Sequence, residues 1–335
     1  MNKATVATFL FLPALVCAND ESPATDNSAT ERRLHIYHTP REKRDAGLDT
    51  KLTDWLSLSG LAKIEATSFD NNFRNNIRNA GQDDAVTAVQ LGFKIDISEQ
   101  VESEIILNFQ DNTTGSALDE AFVELNSGSW GLSVGKQTLP FGTYYSHFIT
   151  GPLLEFGETR ATALLVGYHY DNGIDFSAFT YRGRAHKSNV DQRINDWAVV
   201  AEAKLLDDRV LLGASYLSDL ADSDAQLLED FDNQYPSRVG AWNTYAVLRA
   251  GTAEISLEML RAARAFRALA PTVDQPRAWN LEIAYYPTAT WQVAARLERS
   301  AELPDQPERR VGIAVTWLAY GVVTIRSTGS ATTPE

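Results

Sequence analysis

The amino-acid sequence predicts an all-β protein, a transmembrane antiparallel β-barrel of about 16 strands. Three observations predict it. Apolar and polar residues alternate over segments of about ten residues, the connections between these segments are alternately short and long, and tryptophans lie near the segment ends. Beyond residue 18 no stretch reaches the roughly 18 apolar residues of a membrane helix, so only a barrel would carry this chain through a membrane.

Residues 1–18 have the pattern of a secretory signal. Lys3 supplies a positive start, an apolar stretch follows, and Ala18 precedes a polar run, which predicts cleavage after Ala18. A lipoprotein signal at Cys17 is the weaker alternative, because Val16 stands where a small residue is expected. Cleavage would remove the single cysteine and would exclude disulfides, a thiol enzyme and a cysteine metal site.

Residues 19–51 are polar and predict a mobile periplasmic segment, and residues 52–335 predict the outer-membrane barrel. His35 and His38 in the first segment are weak metal-ligand candidates without a nearby third ligand, so no metal site is predicted.

The strand predictions come from a period of two. Val89, Leu91 and Phe93 alternate with Gln90 and Lys94, for example, as in a strand between lipid and water. The predicted strands are 55–66, 86–97, 101–110, 118–126, 130–138, 160–170, 173–182, 196–205, 209–217, 241–250, 252–261, 277–287, 289–298, 308–318 and 320–327.

The connections alternate in length along the whole chain. The short ones are 98–100, 127–129, 171–172, 207–208, 250–251, 287–288 and 319. The long ones are 67–85, 111–117, 139–159, 183–195, 218–240, 262–276 and 299–307. Outer-membrane barrels sort their connections in this way, with short turns on the periplasmic side and long loops outside.

Aromatic residues mark the predicted strand ends. The tryptophans are Trp55, Trp130, Trp197, Trp242, Trp279, Trp291 and Trp317. Interfacial girdles of Trp and Tyr are typical of membrane barrels.

The strand count leaves two alternatives, because bacterial barrels generally have an even number of strands. The favoured one is 16 strands, with the last after Ser327, and the other is 14 strands with closure at Trp317. Residues 310–317 resemble the β-signal that the barrel-assembly machinery reads, so this machinery is a predicted partner. A barrel of this size is too small for a TonB-dependent transporter with its plug, which needs about 22 strands, and it encloses an aqueous lumen.

The third long connection is too apolar to lie in water and is predicted to fold into the barrel and to narrow the pore. The candidate constriction residues are Lys136, Phe141, Tyr144, His147, Glu155, Glu158 and Arg160. The alternative for the charged ones is a purely structural set of ion pairs. The candidate lumen charges, on the polar side of their strands, are Glu120, Glu124, Arg249, Glu282 and Arg296. Charge on the lipid face would cost about 2–4 kcal/mol.

Other chemistries are disfavoured. A net charge of −14 argues against nucleic acid as a partner. The acidic connection that contains Asp219, Asp222 and Asp224 could hold a hard cation, but a solvated loop is the favoured interpretation. Ser146 and His147 are adjacent and cannot form a triad by themselves, so neither an enzyme nor a cofactor is predicted.

The stretch from Asp119 to Tyr170 resembles the LbtU-type siderophore porin family. The residues that carry the resemblance are Asp119-Glu120-Ala121-Phe122, Gly135-Lys136-Gln137, Leu139-Pro140-Phe141-Gly142, Ser146-His147-Phe148-Ile149 and Gly157-Glu158-Thr159-Arg160. The resemblance extends weakly over residues 55–317. It implies a TonB-independent outer-membrane channel linked to siderophore uptake, and it implies no catalytic residues.

The expected function is therefore passive uptake of small polar solutes, with ferric siderophore as the specific solute, across the outer membrane of a Gram-negative bacterium. The alternative is a non-conducting barrel that acts as an enzyme or a surface-interaction protein. The expected partners are outer-membrane lipid and the solute, and homo-oligomerisation is left open.

Overall fold

The computed structural model describes most of the chain. The described residues are 2–11, 50–72, 78–82, 86–110, 118–148, 152–184, 186–187, 194–224, 227, 234–235, 237–271, 273–288, 290–303, 308–319 and 323–332. Within this part, no helix has the length and apolar character needed to cross a membrane.

Strands dominate the described residues. They are β1 (Asn2–Phe11), β2 (Thr50–Thr53), β3 (Leu56–Asn72), β4 (Arg78–Gln82), β5 (Val86–Ser98), β6 (Val101–Gln110), β7 (Leu118–Ser127), β8 (Trp130–Thr138), β9 (Arg160–Tyr170), β10 (Ile174–Arg182), β11 (His186–Lys187), β12 (Asp196–Leu205), β13 (Val210–Leu217), β14 (Gln234–Tyr235), β15 (Ala241–Ala250), β16 (Ala253–Ala262), β17 (Arg277–Thr288), β18 (Trp291–Ala301), β19 (Arg309–Ala319) and β20 (Val323–Thr332). A short helix, α1 (Pro152–Gly157), and a 3-10 turn, Leu220–Asp222, lie in long connections.

One sheet contains eighteen of these strands. Fifteen of them, β3, β5–β10, β12, β13 and β15–β20, each pair antiparallel with the next in chain order. The other three are β2 and β4, which are short and lie against β3, and β1, which pairs with both β3 and β20. The pairing therefore runs around a barrel, as predicted.

All fifteen predicted strands are present, with boundaries shifted by a few residues. The alternation of short and long connections is also confirmed, and we call the two ends of the barrel the short-turn end and the long-loop end. The signal-peptide cleavage site and nearly all of the segment 19–51 lie outside the described residues and stay predictions.

The prediction of how the barrel ends was wrong. Closure at 14 strands does not occur, because β20 pairs with β19 along its whole length. A further strand after Ser327 does not occur either, since residues up to Thr332 belong to β20. The physical reason is length. A strand that ended at Ser327 would be too short to cross a bilayer, which takes about 9–11 residues. The sixteenth position is occupied by β1, and the β-signal-like segment 310–317 lies in β19 rather than in the last strand.

The outer face of the barrel is apolar and the inner face is polar. In β16, Ile255 and Leu257 point outward and are exposed, while Glu254, Ser256 and Glu258 point inward and are buried. The same alternation runs through β15, β17 and β18. This is the arrangement of an outer-membrane protein, because hydrocarbon outside and water inside select opposite sides of every strand.

Outward-facing aromatic side chains form clusters at both ends of the strands. At the short-turn end the contacts are Trp130–Tyr168 (4.7 Å between ring centroids), Tyr168–Tyr170 (4.6 Å), Tyr170–Phe176 (6.0 Å) and Trp291–Trp317 (5.7 Å). At the long-loop end they are Trp197–Tyr216 (5.4 Å) and Tyr216–Trp242 (4.7 Å). Two aromatic belts are expected where lipid headgroups meet the apolar band.

A charge in the apolar band should destabilise the barrel. Leu257 lies in the middle of β16 with 47% of its surface exposed on the outer face. We expect Leu257→Arg to lower the free energy of unfolding by about 2–4 kcal/mol in lipid vesicles, measured by urea titration of tryptophan fluorescence. The control Thr252→Arg, in the exposed turn before β16, should cost no more than about 1 kcal/mol. Equal losses in both variants would contradict the assignment of the lipid face.

Candidate pore constriction

The third long connection, residues 139–159, folds into the barrel and is called L3 below. Its neck is closed where the Leu139 amide donates to the Thr159 carbonyl over 2.8 Å. Phe141, His147 and Phe148 are completely or almost completely buried. Burial of these side chains requires the inner wall as a partner, so the prediction of an inward third loop is confirmed.

Buried carboxylates on the inner wall anchor the L3 backbone. Glu258 of β16 accepts the Thr143 amide over 3.0 Å, and it also accepts the Asn243 side-chain amide over 2.9 Å. Glu282 of β17 accepts the His147 amide over 2.7 Å and the Ser146 hydroxyl over 2.7 Å. Each carboxylate thus satisfies L3 donors that would otherwise be buried without partners.

Gly142 permits this close approach. Its φ is +80°, and a Cβ at this position would collide with the side chains of Asn243 and Glu258. The amide of Gly142 donates to the hydroxyl oxygen of Ser215 over 3.1 Å. A residue with a side chain would therefore push L3 away from the wall and would also strain the backbone.

The ring of His147 bridges two strands. Its Nδ1 lies 2.9 Å from Glu282 Oε2 and its Nε2 lies 2.8 Å from Glu254 Oε1. Both partners are acceptors, so the arrangement favours a ring that carries both protons. Burial alone would lower the pKa of His147, but the hydrogen bonds to Glu254 and Glu282 outweigh it, and the pKa is raised above the ordinary value of 6.5.

Aromatic and cationic side chains complete the anchor. The Tyr145 hydroxyl donates to Glu254 over 2.5 Å, and Arg249 Nε donates to the same carboxylate over 3.0 Å. The guanidinium of Arg296 lies over the Phe148 ring, 4.1 Å from its centroid. Cations in such positions are attracted by the ring face, so each arginine holds both an L3 side chain and the wall.

Toward the long-loop end, L3 packs in an apolar cluster. The L3 members are Leu139, Phe141, Tyr144, Leu153 and Phe156. The partners from the wall and from the other loops include Tyr181, Leu217, Leu220, Leu260 and Phe266. Helix α1 lies against β16 and β17. L3 is therefore fixed to one side of the barrel by apolar burial at one end and by charged hydrogen bonds at the other.

This packing divides the inner wall into two parts. Inward-facing residues of β16, β17 and β18 are buried along the whole strand. Most inward-facing residues of β6, β7 and the short-turn half of β10 and β12 remain partly accessible, although Ile106 and Glu120 are buried. Two cavities of about 930 Å³ and 500 Å³ lie along this accessible side. The open part of the lumen thus lies beside L3, against the strands that L3 does not cover.

The predicted constriction residues occupy several different environments. Tyr144 lines the larger cavity, and Phe141 and His147 are buried between L3 and the wall. Lys136 shares the outward side of β8 with Val134, and its ammonium donates to the Leu118 carbonyl over 2.5 Å. Glu155 lies in α1, and the placement of its side chain is outside the described structure.

Glu158 and Arg160 meet at the long-loop end. The guanidinium of Arg160 pairs with Asp119, lies 3.4 Å from Glu158 and 3.7 Å from Asp224. Arg184 also pairs with Asp224 over 3.2 Å. These ion pairs connect L3 to the start of β7 and to the fifth long connection. This arrangement fits the alternative in the sequence analysis, in which the charged residues form structural ion pairs. Burial raises the pKa of Asp224, against the opposing effect of the two arginines.

The predicted lumen charges all lie on inward strand positions. Glu120 accepts the Thr138 hydroxyl over 2.6 Å and Glu124 accepts the Asn126 amide over 3.0 Å, and both line the smaller cavity. Arg249, Glu282 and Arg296 belong to the L3 anchor, and Arg249 also lines the larger cavity.

The interpretation of Asp219 and Asp222 as part of a solvated loop was wrong. Both are buried, and with Asp196 they bring carboxylate oxygens within 4.8 Å of one another. Arg238 pairs with Asp196 and its Nε lies 4.0 Å from Asp219, so it supplies positive charge to the group. Burial, and then the proximity of Asp222, raise the pKa of Asp219 to about 8.

Sequence reasoning missed Glu254 and Glu258, the other two carboxylates of the anchor. A signal existed, because both lie on the polar side of β16 between Ile255, Leu257 and Met259. Their partners in L3 are more than a hundred residues away along the chain, which local patterns do not reveal.

Comparisons with solved structures agree with this architecture. An anion-selective porin from Comamonas acidovorans matches with a TM-score of 0.56 at 8% identity, over 82% of this chain and 98% of that one. The outer membrane channel DcaP of Acinetobacter baumannii matches with a TM-score of 0.51 at 10% identity, over 99% and 95%. OmpF of Salmonella typhi, in a complex with daunomycin, has a TM-score of 0.51 at 10% identity, over 99% and 96%.

The chain has the porin fold. At these identities the likeness extends to the fold alone. No family model matches the chain. The UPF0422 protein of Coxiella burnetii (strain RSA 493 / Nine Mile phase I) is 30% identical over 142 residues, which are 40% of this chain. The match spans 30% of that relative's length.

Removal of the His147 ring should release L3. His147→Ala leaves the buried carboxylates of Glu254 and Glu282 without their shared cation, and breaking a buried pair costs about 3–5 kcal/mol. We expect faster proteolysis within L3 and a lower unfolding temperature in detergent. The control Thr143→Ala should change neither, because Thr143 contributes its backbone amide to the anchor.

The anchor should also depend on pH. Because the folded pKa of His147 is raised, its contribution is complete below about pH 6.5 and is lost as the pH rises through the folded value. The raised pKa of Asp219 likewise lowers the stability as the pH rises, up to about pH 8. The comparison of Asp219→Asn with Asp219→Asn/His147→Ala removes this contribution, and the difference between the two curves reports His147. In that background the unfolding temperature should fall between about pH 6 and pH 9, and His147→Ala should flatten the curve. A slope unchanged by His147→Ala would contradict the role of the ring.

Proposed function

We propose that this chain is a passive, TonB-independent channel for small polar solutes in the outer membrane of a Gram-negative bacterium. The observation that carries the proposal is the division of the lumen. L3 is fixed to one side of the inner wall, and two cavities that contain charged side chains remain along the other side. A barrel of about 16 strands is too wide for side chains alone to fill.

The size of the barrel supports TonB independence. A TonB-dependent transporter encloses a folded plug within about 22 strands. In the described part of this barrel the interior is occupied by L3, which narrows a lumen without blocking it entirely. Insertion through the barrel-assembly machinery and association into homo-oligomers stay predictions.

Single-channel conductance with neighbouring cysteines tests the proposal. The chain has one native cysteine, Cys17, so treatment of the unsubstituted protein with the thiol reagent is the control for reaction at Cys17. Ser177 of β10 lines the larger cavity, whereas Ala178 points outward. In planar bilayers we expect open channels whose current falls when Ser177→Cys reacts with a bulky methanethiosulfonate, while Ala178→Cys channels should be unaffected. A folded barrel without conductance would favour the non-conducting alternative and would overturn the proposal.

We further propose ferric siderophore complexes as a solute class. The support is the resemblance block between Asp119 and Tyr170, which comprises L3 and the strands on either side of it. Two of its motifs meet through the pair of Arg160 with Asp119.

Uptake of iron-labelled siderophore into proteoliposomes tests this solute class. The chain should speed uptake well above that of protein-free vesicles, without any energy source, and Ser177→Cys blocked by the thiol reagent should abolish the gain. Normal ionic conductance without ferric siderophore uptake would reject the solute class and leave the channel proposal intact.

A further inference from the structure

The open side of the lumen carries an excess of carboxylates. They occupy inward positions on four strands that L3 leaves uncovered, in or near the two cavities. The carboxylates are Glu102, Glu104, Glu120, Glu124, Asp175 and Glu202. Five of them lie in the half of the barrel toward the short turns, and Glu120 lies nearer the long loops.

Four of these carboxylates face each other directly across the sheet. Glu102 of β6 is the register partner of Glu124 of β7. Asp175 of β10 is the register partner of Glu202 of β12. Like charges in directly opposite positions destabilise a sheet. Two such pairs in one lumen raise the local concentration of mobile cations, because these offset the repulsion.

The fixed cations on this side are fewer. Lys94 pairs with Glu102 over 2.7 Å, and Lys204 is shared between Asp175 at 3.7 Å and Glu202 at 3.5 Å. His169 contacts Asp175 over 2.5 Å. The guanidinium of Arg249, which is bound to Glu254, also lines the larger cavity. In the described lumen wall the two ammonium groups and this guanidinium therefore neutralise only part of the carboxylate charge.

Most of the described arginines in the lumen are engaged with L3 or lie at the long-loop end. Arg249 and Arg296 hold L3 together with Glu254 and Glu298. Arg160 pairs with Asp119 and Glu158 at the long-loop end. Among the described residues the six carboxylates of the uncovered wall thus outnumber the cations beside them, which are Lys94, Lys204 and Arg249.

We propose that this acidic wall makes the channel select cations over anions. The proposal rests on the proposed channel function and narrows its solute class. Clefts with charge of one sign and low-dielectric walls concentrate the field and enrich ions of the opposite sign, and carboxylate-lined pores pass cations. The iron complexes that fit this wall are cationic or uncharged ones.

Reversal potentials under a KCl gradient test the proposal with the full chain in planar bilayers. The unsubstituted channel should reverse at a potential that indicates a K⁺ to Cl⁻ permeability ratio above unity. Glu124→Gln/Glu202→Gln removes one carboxylate from each facing pair and should lower this ratio by roughly twofold, with a larger effect at low salt, where screening is weaker.

The control removes two carboxylates elsewhere. Glu99→Gln/Glu308→Gln changes two exposed residues outside the cavities, and its permeability ratio should equal that of the unsubstituted channel. Both double variants should fold, and the faster migration of unheated barrels on denaturing gels checks this. Relief of like-charge repulsion should stabilise the Glu124→Gln/Glu202→Gln variant.

The outcomes separate the two proposals. A conducting channel without cation preference, or a preference that the Glu124→Gln/Glu202→Gln variant leaves unchanged, would overturn the acidic wall as the selectivity determinant and leave the channel function standing. A folded but silent barrel would overturn the channel function and, with it, this inference.

Discussion

Backbone amides and carbonyls inside a bilayer have no water to bind, and the rest of this structure depends on that constraint. Every spanning strand must pair along both edges, which bends the sheet into a barrel with one face toward lipid and one toward water. Apolar side chains such as Leu257 are drawn to the outside. Charged ones such as Glu254, Glu258 and Glu282 must collect in the interior.

The interior charges determine where the third loop lies. A buried carboxylate is costly unless donors surround it. L3 brings backbone amides, two hydroxyl groups and the imidazole of His147 to three glutamates on adjacent strands. The loop gains partners for its own buried amides in the same contacts. Anchoring and narrowing of the lumen are thus two results of one set of hydrogen bonds.

The strands were predictable because hydrocarbon and water act on each residue locally, and a period of two records this in segments such as 101–110. The lengths of the connections predicted which end of the barrel faces the periplasm. The apolar residues of the third long connection predicted that L3 lies inside the barrel. The contacts of L3 were not predictable, because Ser146 and Glu282 are 136 residues apart. Burial of Asp219 depends on Arg238 from a distant part of its own connection, and the first and last strands carry no local sign of each other.

β1 closes the ring between β20 and β3, and this has a consequence for export. If residues 1–18 are removed on the way to the membrane, fifteen strands remain, and the two at the seam then run in the same direction. They could join only as a parallel pair, as in mitochondrial barrels with an odd strand number. Otherwise another extended segment must enter the seam. An unfilled seam would leave a lateral opening in the barrel, with backbone amides and carbonyls that have no hydrogen-bond partner, and the barrel would be least stable there.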